Sequence, residues 1–364
     1  MENKAYLSEQ IITYIGNKRA LLEEIDKRII QVKALLNKEK ISTCDLFSGS
    51  GIVSRLLKQH SSFLIANDLE AYSEMINRCH LTNFSDFDGE AFDHYLELLN
   101  KAVDEKPISG IITQNYAPED TEAVKENERC FYTHENALLI DSYRYYIDEL
   151  IPEDLKVFFL ARLLTEASIH TNTSGVFKGF YKNRQGIGQF GGEGRNALSR
   201  IMGTIMIDRP VLSSFECEYE VYRNDANDLV KKLEPLDLVY IDTPYDQHPY
   251  GSNYFMLNLI LDNTLPENVS KVSGIPTDWN RSSYNKAYKA LDSMEDLISS
   301  INSRYILISY NNEGFISRDE MENMLKKYGT LISDAVKYNT FRGSRNLSNR
   351  SIYTDEYFFL LEKK

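Results

Sequence analysis

Four short stretches of this chain bring together residue types that could do chemistry. In Asp237 to Tyr245, DLVYIDTPY, an apolar run (Leu238, Val239, Tyr240, Ile241) leads straight into Asp242, Thr243, Pro244 and Tyr245. A carboxylate, a proline-stiffened turn and an aromatic ring in succession are what a reactive site at the end of a buried strand requires. Asp and Pro also favour ordinary turns for local backbone reasons, so the stretch needs company before it means more. In Ile41 to Gln59, Asp45 and Phe47 precede Ser48-Gly49-Ser50-Gly51, a glycine turn through which a backbone can approach a ligand. Asp45 stands four positions before Gly49, where a carboxylate would repel a pyrophosphate and attract a cation. A second apolar run, Phe63 to Ala66, ends at Asn67-Asp68, placing an acid where nucleotide-binding folds bond ribose hydroxyls. Near the N-terminus, Tyr14-Ile15-Gly16-Asn17-Lys18 interrupts an apolar pattern and offers Lys18 to something anionic.

These residues need strands and helices to hold them. Ile41 to Gln59 reads as strand, glycine turn and helix, the helix carried by Ile52, Val53, Leu56 and Leu57. Ser8 to Leu36 reads as helical, broken at Tyr14 to Lys18. From about Tyr72 to Leu150 the pattern is long, polar and mostly helical, and Glu153 to His170 is a helix opened by Pro152. The α/β pattern resumes with a strand at Phe215 to Tyr222 ending at Asn224-Asp225-Ala226, then the strand of DLVYIDTPY, then Tyr305 to Tyr310. Helix Arg318 to Tyr328 and two late strands, around Thr330 to Tyr338 and Ser351 to Leu361, close the chain.

At 364 residues the chain exceeds one typical domain. No apolar run approaches the roughly 18 residues that span a bilayer, which predicts no membrane partner. The polar opening MENKAYLSEQ lacks the apolar core of a secretory signal. Cys44, Cys79, Cys130 and Cys217 are scattered without a CxxC pair, against a zinc site or a disulfide framework and in keeping with the cytoplasm. His80, His94 and His134 are isolated, and no metal site is expected. With 41 basic and 54 acidic residues the net charge is −13, at first sight unsuited to a phosphate backbone. Its distribution says otherwise. From Phe177 to Arg200 the cations Lys178, Lys182, Arg184, Arg195 and Arg200 face only Glu193, and Lys337 to Arg350 carries Lys337, Arg342, Arg345 and Arg350 with no acid. Two solvated loops would have the same composition, but one electropositive face is also in reach. Thr171 to Arg195 is glycine-rich, basic and aromatic, poorly suited to filling a core. It is suited to reaching along a nucleic acid, with Phe177, Phe180 and Tyr181 available for stacking or wedging.

Glycine turn, strand-end acid and strand-DTPY in that order resemble an adenine-specific (N6) DNA methyltransferase of the Dam type, in the family's alpha motif order, over most of the chain. YIGNK is similar to the N-terminal cofactor motif, DLFSGSG to FxGxG, Asp68 to the ribose-binding acid, Asp225 to the adenine-side acid and DTPY to the catalytic DPPY. SYNNEG (Ser309 to Gly314) and FRGSRN also resemble family segments. The resemblance implies a Rossmann-like α/β methyltransferase fold with an inserted, mostly helical DNA-recognition domain. Residues 1–70 and 208–364 would form the catalytic domain and 71–207 the target-recognition domain. It implies S-adenosyl-L-methionine as cofactor, held by Tyr14, Gly16, Lys18, Asp45, Phe47, Gly49, Gly51, Asp68, Asp225 and Ala226. Its sulfonium is a cation, which gives Asp45 a purpose.

The implied reaction is methyl transfer to adenine N6 in a specific duplex sequence, with the base flipped. The N6 lone pair is delocalised into the ring. A site that accepts hydrogen bonds from both amino hydrogens favours a pyramidal nitrogen and stabilises developing positive charge. By resemblance, Asp242 and the Thr243 carbonyl accept those bonds, Pro244 keeps the turn stiff and Tyr245 stacks on the base. Thr243 replaces the usual first proline, where only a carbonyl is required. Lys178, Lys182, Arg184, Arg195, Arg342 and Arg345 are the expected DNA contacts. The expected partners are duplex DNA and a cognate restriction endonuclease, with a monomer as the default. Three alternatives stand beside this reading. Cytosine N4 methylation is disfavoured by Asp rather than Ser at 242. A nucleotide-binding oxidoreductase would want a third small residue where Ser54 stands. A catalytically silent DNA-binding module leaves the residues for transfer without use.

Overall fold

A computed structural model describes residues 2–247, 249–339 and 353–364. Its centre is a seven-stranded sheet: β1 (Ile41–Asp45), β2 (Ser61–Asp68), β3 (Glu218–Arg223), β4 (Leu236–Ile241), β5 (Ser303–Asn311), β6 (Gly329–Asn339) and β7 (Tyr353–Lys363), in the order β3-β2-β1-β4-β5-β7-β6. The first five of these in spatial order run parallel; β7 pairs antiparallel with β5, and β6 antiparallel with β7. This is a Rossmann-like α/β sheet whose strand order reverses between β1 and β4. The crevice beyond the strand C-termini at such a reversal is where ligands bind in open α/β sheets. Central strands such as β4 and β5 are buried on both faces, as a sheet covered by helices requires.

The helices are α1 (Lys4–Ser8), α2 (Leu22–Leu36), α3 (Ile52–Lys58), α4 (Ala71–Leu81), α5 (Gly89–Glu105), α6 (Ile111–Tyr116), α7 (His134–Leu150), α8 (Glu153–Ile169), α9 (Leu198–Ile201), α10 (Ala226–Leu229), α11 (Tyr250–Asn253), α12 (Phe255–Asp262), α13 (Ala287–Ser300) and α14 (Arg318–Leu325). Among the described residues, no helix is long and apolar enough to cross a membrane. One face of the sheet is packed by α2 and α3 through Ile25, Ile29, Leu56 and Leu57, the other by α13 and α14 through Met294, Leu297, Met321 and Leu325. A third apolar core joins α4, α5, α7 and α8 with α12, which follows the DTPY stretch in sequence.

Two expectations are corrected. Ser8 to Leu36 is not one broken helix: the chain leaves α1 at Ser8, passes through loop and a 3-10 turn at Lys18–Leu21, and enters α2 only at Leu22. Ile11 and Ile12 bury in the helical core whereas Ile25 and Ile29 bury against the sheet, so their periodic spacing never belonged to one helix face. The segment Thr171 to Arg195 does fill a core. Phe177 and Phe180 are 1% and 8% exposed, packed around Phe131 at ring distances of 6.4 and 5.2 Å. They anchor the segment from inside and are not free to stack or wedge.

Candidate functional site

The strand ends at the reversal build the site. β1 ends in Asp45, and the following turn needs left-handed backbone at Gly49 (φ 51°) and Gly51 (φ 76°), conformations that glycine adopts without a Cβ penalty. The turn is tied to the end of β2: Ser48 N–H donates to the Asn67 carbonyl at 2.9 Å, and Gly49 N–H donates to Asp68 Oδ2 at 2.8 Å. Asp68 Oδ1 accepts from Glu70 N–H at 3.0 Å. Burial pushes the Asp68 carboxyl up while these backbone donors pull it back. Gly49 also admits the Tyr14 ring, since a Cβ there would lie 2.6 Å from Tyr14 Cε1. Tyr14 stacks on Tyr250 and Tyr254 at 5.0 and 4.8 Å. Ile15 N–H donates to Tyr254 Oη at 2.7 Å, which fastens the N-terminal loop to the chain that follows DTPY.

These pieces enclose a cleft that opens to solvent. Tyr14, Gly16, Phe47, Asp68, Asp225, Ala226, Asp242 and Pro244 all line it. A smaller recess beside it shares Tyr14, Gly16, Phe47 and Asp242 and adds Lys18, Asp45 and Gly49. Of the residues expected to hold a cofactor, Gly51 alone lines neither; it opens α3, facing Asn77 Oδ1. Asp225 caps α10, accepting from Asn227 N–H at 2.9 Å. Thr243 is 2% exposed, and its Oγ1 has no hydrogen-bond partner among the described residues. Tyr245 meets Tyr310 edge-on at 6.3 Å, and its carbonyl accepts from Phe315 N–H at 3.1 Å.

The electrostatics are uneven. Lys18 is 3% exposed, with Nζ 2.8 Å from Asp242 Oδ1 and 3.1 Å from Glu356 Oε1. Burial pushes this ammonium down, but the two carboxylates outweigh it and hold it well above the ordinary lysine value. The Asp242 side chain keeps 19% of its surface exposed, toward the cleft. Its carboxyl is raised by burial, with Lys18 opposing and Glu356 adding to the rise. Asp45 is buried; one oxygen accepts from Ser54 Oγ at 2.7 Å, and the other has no partner among the described residues. Burial pushes its carboxyl up to about 7, with Asp242 and Asp68 adding to the rise. An orphaned buried carboxylate oxygen in a recess beside a larger cleft fits a ligand that carries positive charge.

Sequence reasoning missed several cleft residues. Glu70 is 3% exposed and accepts from Asn258 Nδ2 of α12 at 2.7 Å; burial pushes its carboxyl up to about 7. Asn280, Ser282, Tyr284 and Asn285 come from the connection between α12 and α13. Tyr284 meets Phe47 edge-on at 5.4 Å, and Asn285 Nδ2 donates to the Asp246 carbonyl at 2.8 Å. No motif marks them, because their segment is a long irregular connection. Of the expected DNA contacts, Lys178, Lys182, Arg184 and Arg195 lie on the segment that Phe177 and Phe180 anchor. Arg184 and Arg195 are exposed and Lys182 is half-buried over the Phe180 ring at 4.9 Å. Arg342 and Arg345 lie outside the described residues. Among the described residues no cluster of His, Cys, Asp and Glu is arranged for a metal ion.

The model of the D12 class N6 adenine-specific DNA methyltransferase family matches residues 14–324. The chain is 30% identical to the Type II methyltransferase M.NlaIII of Neisseria lactamica over 361 residues, covering 97% of this chain and 99% of that protein. It is 30% identical to the Type II methyltransferase M.CviAII of Paramecium bursaria Chlorella virus 1, covering 96% and 98%. It is also 28% identical to the modification methylase StsI of Streptococcus sanguinis, over 96% of this chain and 52% of that longer protein.

Proposed function

The chain belongs to the D12 class N6 adenine-specific DNA methyltransferase family, and from that premise we propose that it takes its methyl group from S-adenosylmethionine and acts on adenine flipped out of a specific duplex sequence. When bound, that cofactor supplies an electrophilic methyl group on a sulfonium. The observation that carries the reading is the convergence of Asp68, Asp225 and Asp242 on one cleft at the strand-order reversal, with Gly49 of the glycine turn lining the recess beside it. The orphaned Asp45 oxygen supports a cationic ligand in the adjoining recess.

In this reading Phe47, Asp68, Asp225 and Ala226 hold the nucleoside end, while Tyr14, Gly16, Gly49 and Asp45 hold the amino-acid and sulfonium end. Asp242 accepts one N–H of the adenine amino group and the Thr243 carbonyl accepts the other, which draws the nitrogen lone pair out of conjugation and stabilises positive charge as it develops. Pro244 stiffens the turn and Tyr245 packs on the extruded base. Alignment of nucleophile and methyl group supplies much of the remaining acceleration. The helical segment 71–207 reads the target sequence, and Lys178, Lys182, Arg184 and Arg195 contact phosphates. The protein is taken to act as a monomer. The names of the relatives, Type II methyltransferase and modification methylase, support a restriction endonuclease of the same target specificity as companion. Incubation with labelled S-adenosylmethionine and mixed-sequence duplex DNA tests the reading: label on N6 of adenine is expected, and none on adenine with any duplex would sink it.

A further inference from the structure

Glu356 is an odd residue for its place. It lies on β7 opposite Asn311 of β5 and Val336 of β6, and it is fully buried. Residues two and four positions further along a strand share its face. Here they are Phe358 and Leu360, which pack in the apolar core beneath α2. An apolar residue would continue that face, whereas a buried carboxylate is costly unless it is paired. Asn311 Nδ2 of β5 donates to its Oε2 at 3.5 Å, and its charged partner is Lys18, 3.1 Å from Oε1, the same ammonium that sits 2.8 Å from Asp242 Oδ1 and donates to the Gly16 carbonyl at 3.3 Å. One buried cation therefore serves two carboxylates from different strands.

We infer that Glu356 is a positioning residue for methyl transfer: by sharing Lys18 with Asp242 it fixes the catalytic carboxylate while preventing Lys18 from neutralising it. The inference rests on the proposed role of Asp242. With Lys18 as sole neighbour, Asp242 would be a closed ion pair, a poorer acceptor for the adenine amino group and a weaker stabiliser of positive charge on N6. With Glu356 present the triad sums to one negative charge, and that surplus acts at short range in a water-poor site. Asp242 alone faces the cleft; Glu356 acts from behind it. The other titratable groups around Asp242 are Asp45 of β1, Tyr240 and Tyr245 of its own strand and turn, Tyr250 of α11 and Tyr338 of β6, and none of them is a second counter-ion for Lys18.

The test is Glu356→Gln, which keeps the side-chain volume and removes the charge, read by single-turnover transfer at saturating cofactor and DNA across pH, with cofactor Kd and Tm measured in parallel. The wild type is the control for the underlying reading: if it methylates no adenine, the proposed function fails and Glu356 is not in question. With an active wild type, Glu356→Gln is expected to lower the transfer rate at least tenfold with cofactor Kd within threefold. The acidic limb of its rate profile should move to lower pH, because a negative charge that disfavours ionisation of Asp242 is gone. Glu356→Asp keeps the charge, so its limb should stay in place while the rate falls at least threefold as the carboxylate retreats. It serves alone if the Gln variant does not fold. A wild-type rate in the variant read, a Gln limb that does not move, or a rate loss matched by equal losses in cofactor binding and Tm overturns the inference.

Discussion

Asp45 shows at the scale of one residue what burying a carboxylate costs the fold. Its carboxyl is pushed from the ordinary 3.8 up to about 7 by burial, with the Ser54 hydroxyl opposing. The folded protein therefore binds a proton that the unfolded chain has released between those values, and its stability falls as pH rises through that window. Asp45→Asn removes the charge and keeps an oxygen for the Ser54 hydroxyl. In thermal melts without cofactor, the variant is expected to gain most at pH 8, on the order of 3–4 kcal/mol at the upper limit, and little near pH 4. It should bind S-adenosylmethionine more weakly, since the surplus negative charge is gone. A gain equal at both pH values would mean that the carboxyl does not titrate as its burial demands. Asp242 differs because it faces the cleft and shares Lys18. Asp242→Ala is expected to lower single-turnover transfer by about 10² to 10³ while cofactor affinity, measured by calorimetry, changes less than threefold. Equal collapse of both would make Asp242 a cofactor ligand instead. Asp45 and Asp242 were legible in the sequence because each adjoins a turn with its own signature. Glu70 and Glu356 were not, because their chemistry comes from partners on other elements, Asn258 for the first and Lys18 for the second.

At the scale of elements, local chemistry was readable and long-range packing was not. The strand, glycine turn and helix from Ile41 to Lys58 form as their residue types direct, and so do the strand ends at Asp68 and Ile241. The N-terminal stretch misled because Ile11 and Ile12 feed one core and Ile25 and Ile29 another, a division that periodicity cannot express. Phe177 and Phe180 misled because glycine and basic neighbours concealed two core anchors. The glycine turn offers a clean test at this scale. At Gly49 the backbone is left-handed, and a Cβ would strike the Tyr14 ring. Tyr14 cannot swing away, being stacked with Tyr250 and Tyr254. Gly49→Ala is therefore expected to cost roughly 1–3 kcal/mol of stability and to weaken cofactor binding more than tenfold. At Gly179, where nothing lies within 4 Å of an added Cβ and φ is not positive, alanine should change stability by no more than about 0.5 kcal/mol. Chemical denaturation and calorimetry on both variants check the contrast, and similar losses at the two sites would refute the account of Gly49.

Over the whole molecule the question is how a chain of net charge −13 holds a polyanion. The sheet and the helical core meet through the stretch after DTPY, since α12 packs with α4, α7 and α8 while Asp242 and Pro244 line the cleft. The basic segment is fixed to the same helical core by Phe177, whose ring lies 6.5 Å from Phe255 of α12, and by Phe180 against Phe131. Its cations are thereby carried by the body that also carries the chain leading out of the DTPY turn. If Lys182, Arg184 and Arg195 bind phosphate as proposed, counter-ions are released and log K should fall with log salt by about 0.9 for each phosphate neutralised. The triple variant Lys182→Ala, Arg184→Ala, Arg195→Ala removes up to three such contacts. Its salt slope, measured by anisotropy titration of labelled duplex, should be shallower than wild type by between 1 and about 2.7, with cofactor affinity unchanged because none of the three lines the cleft. Arg184 is already paired with Glu193 at 3.3 Å, so its share should be the smallest, and restoring Arg184 alone should steepen the slope least. A triple variant whose slope equals that of the wild type would place the segment off the DNA, because no loss of shape or of base contacts alters the number of counter-ions released.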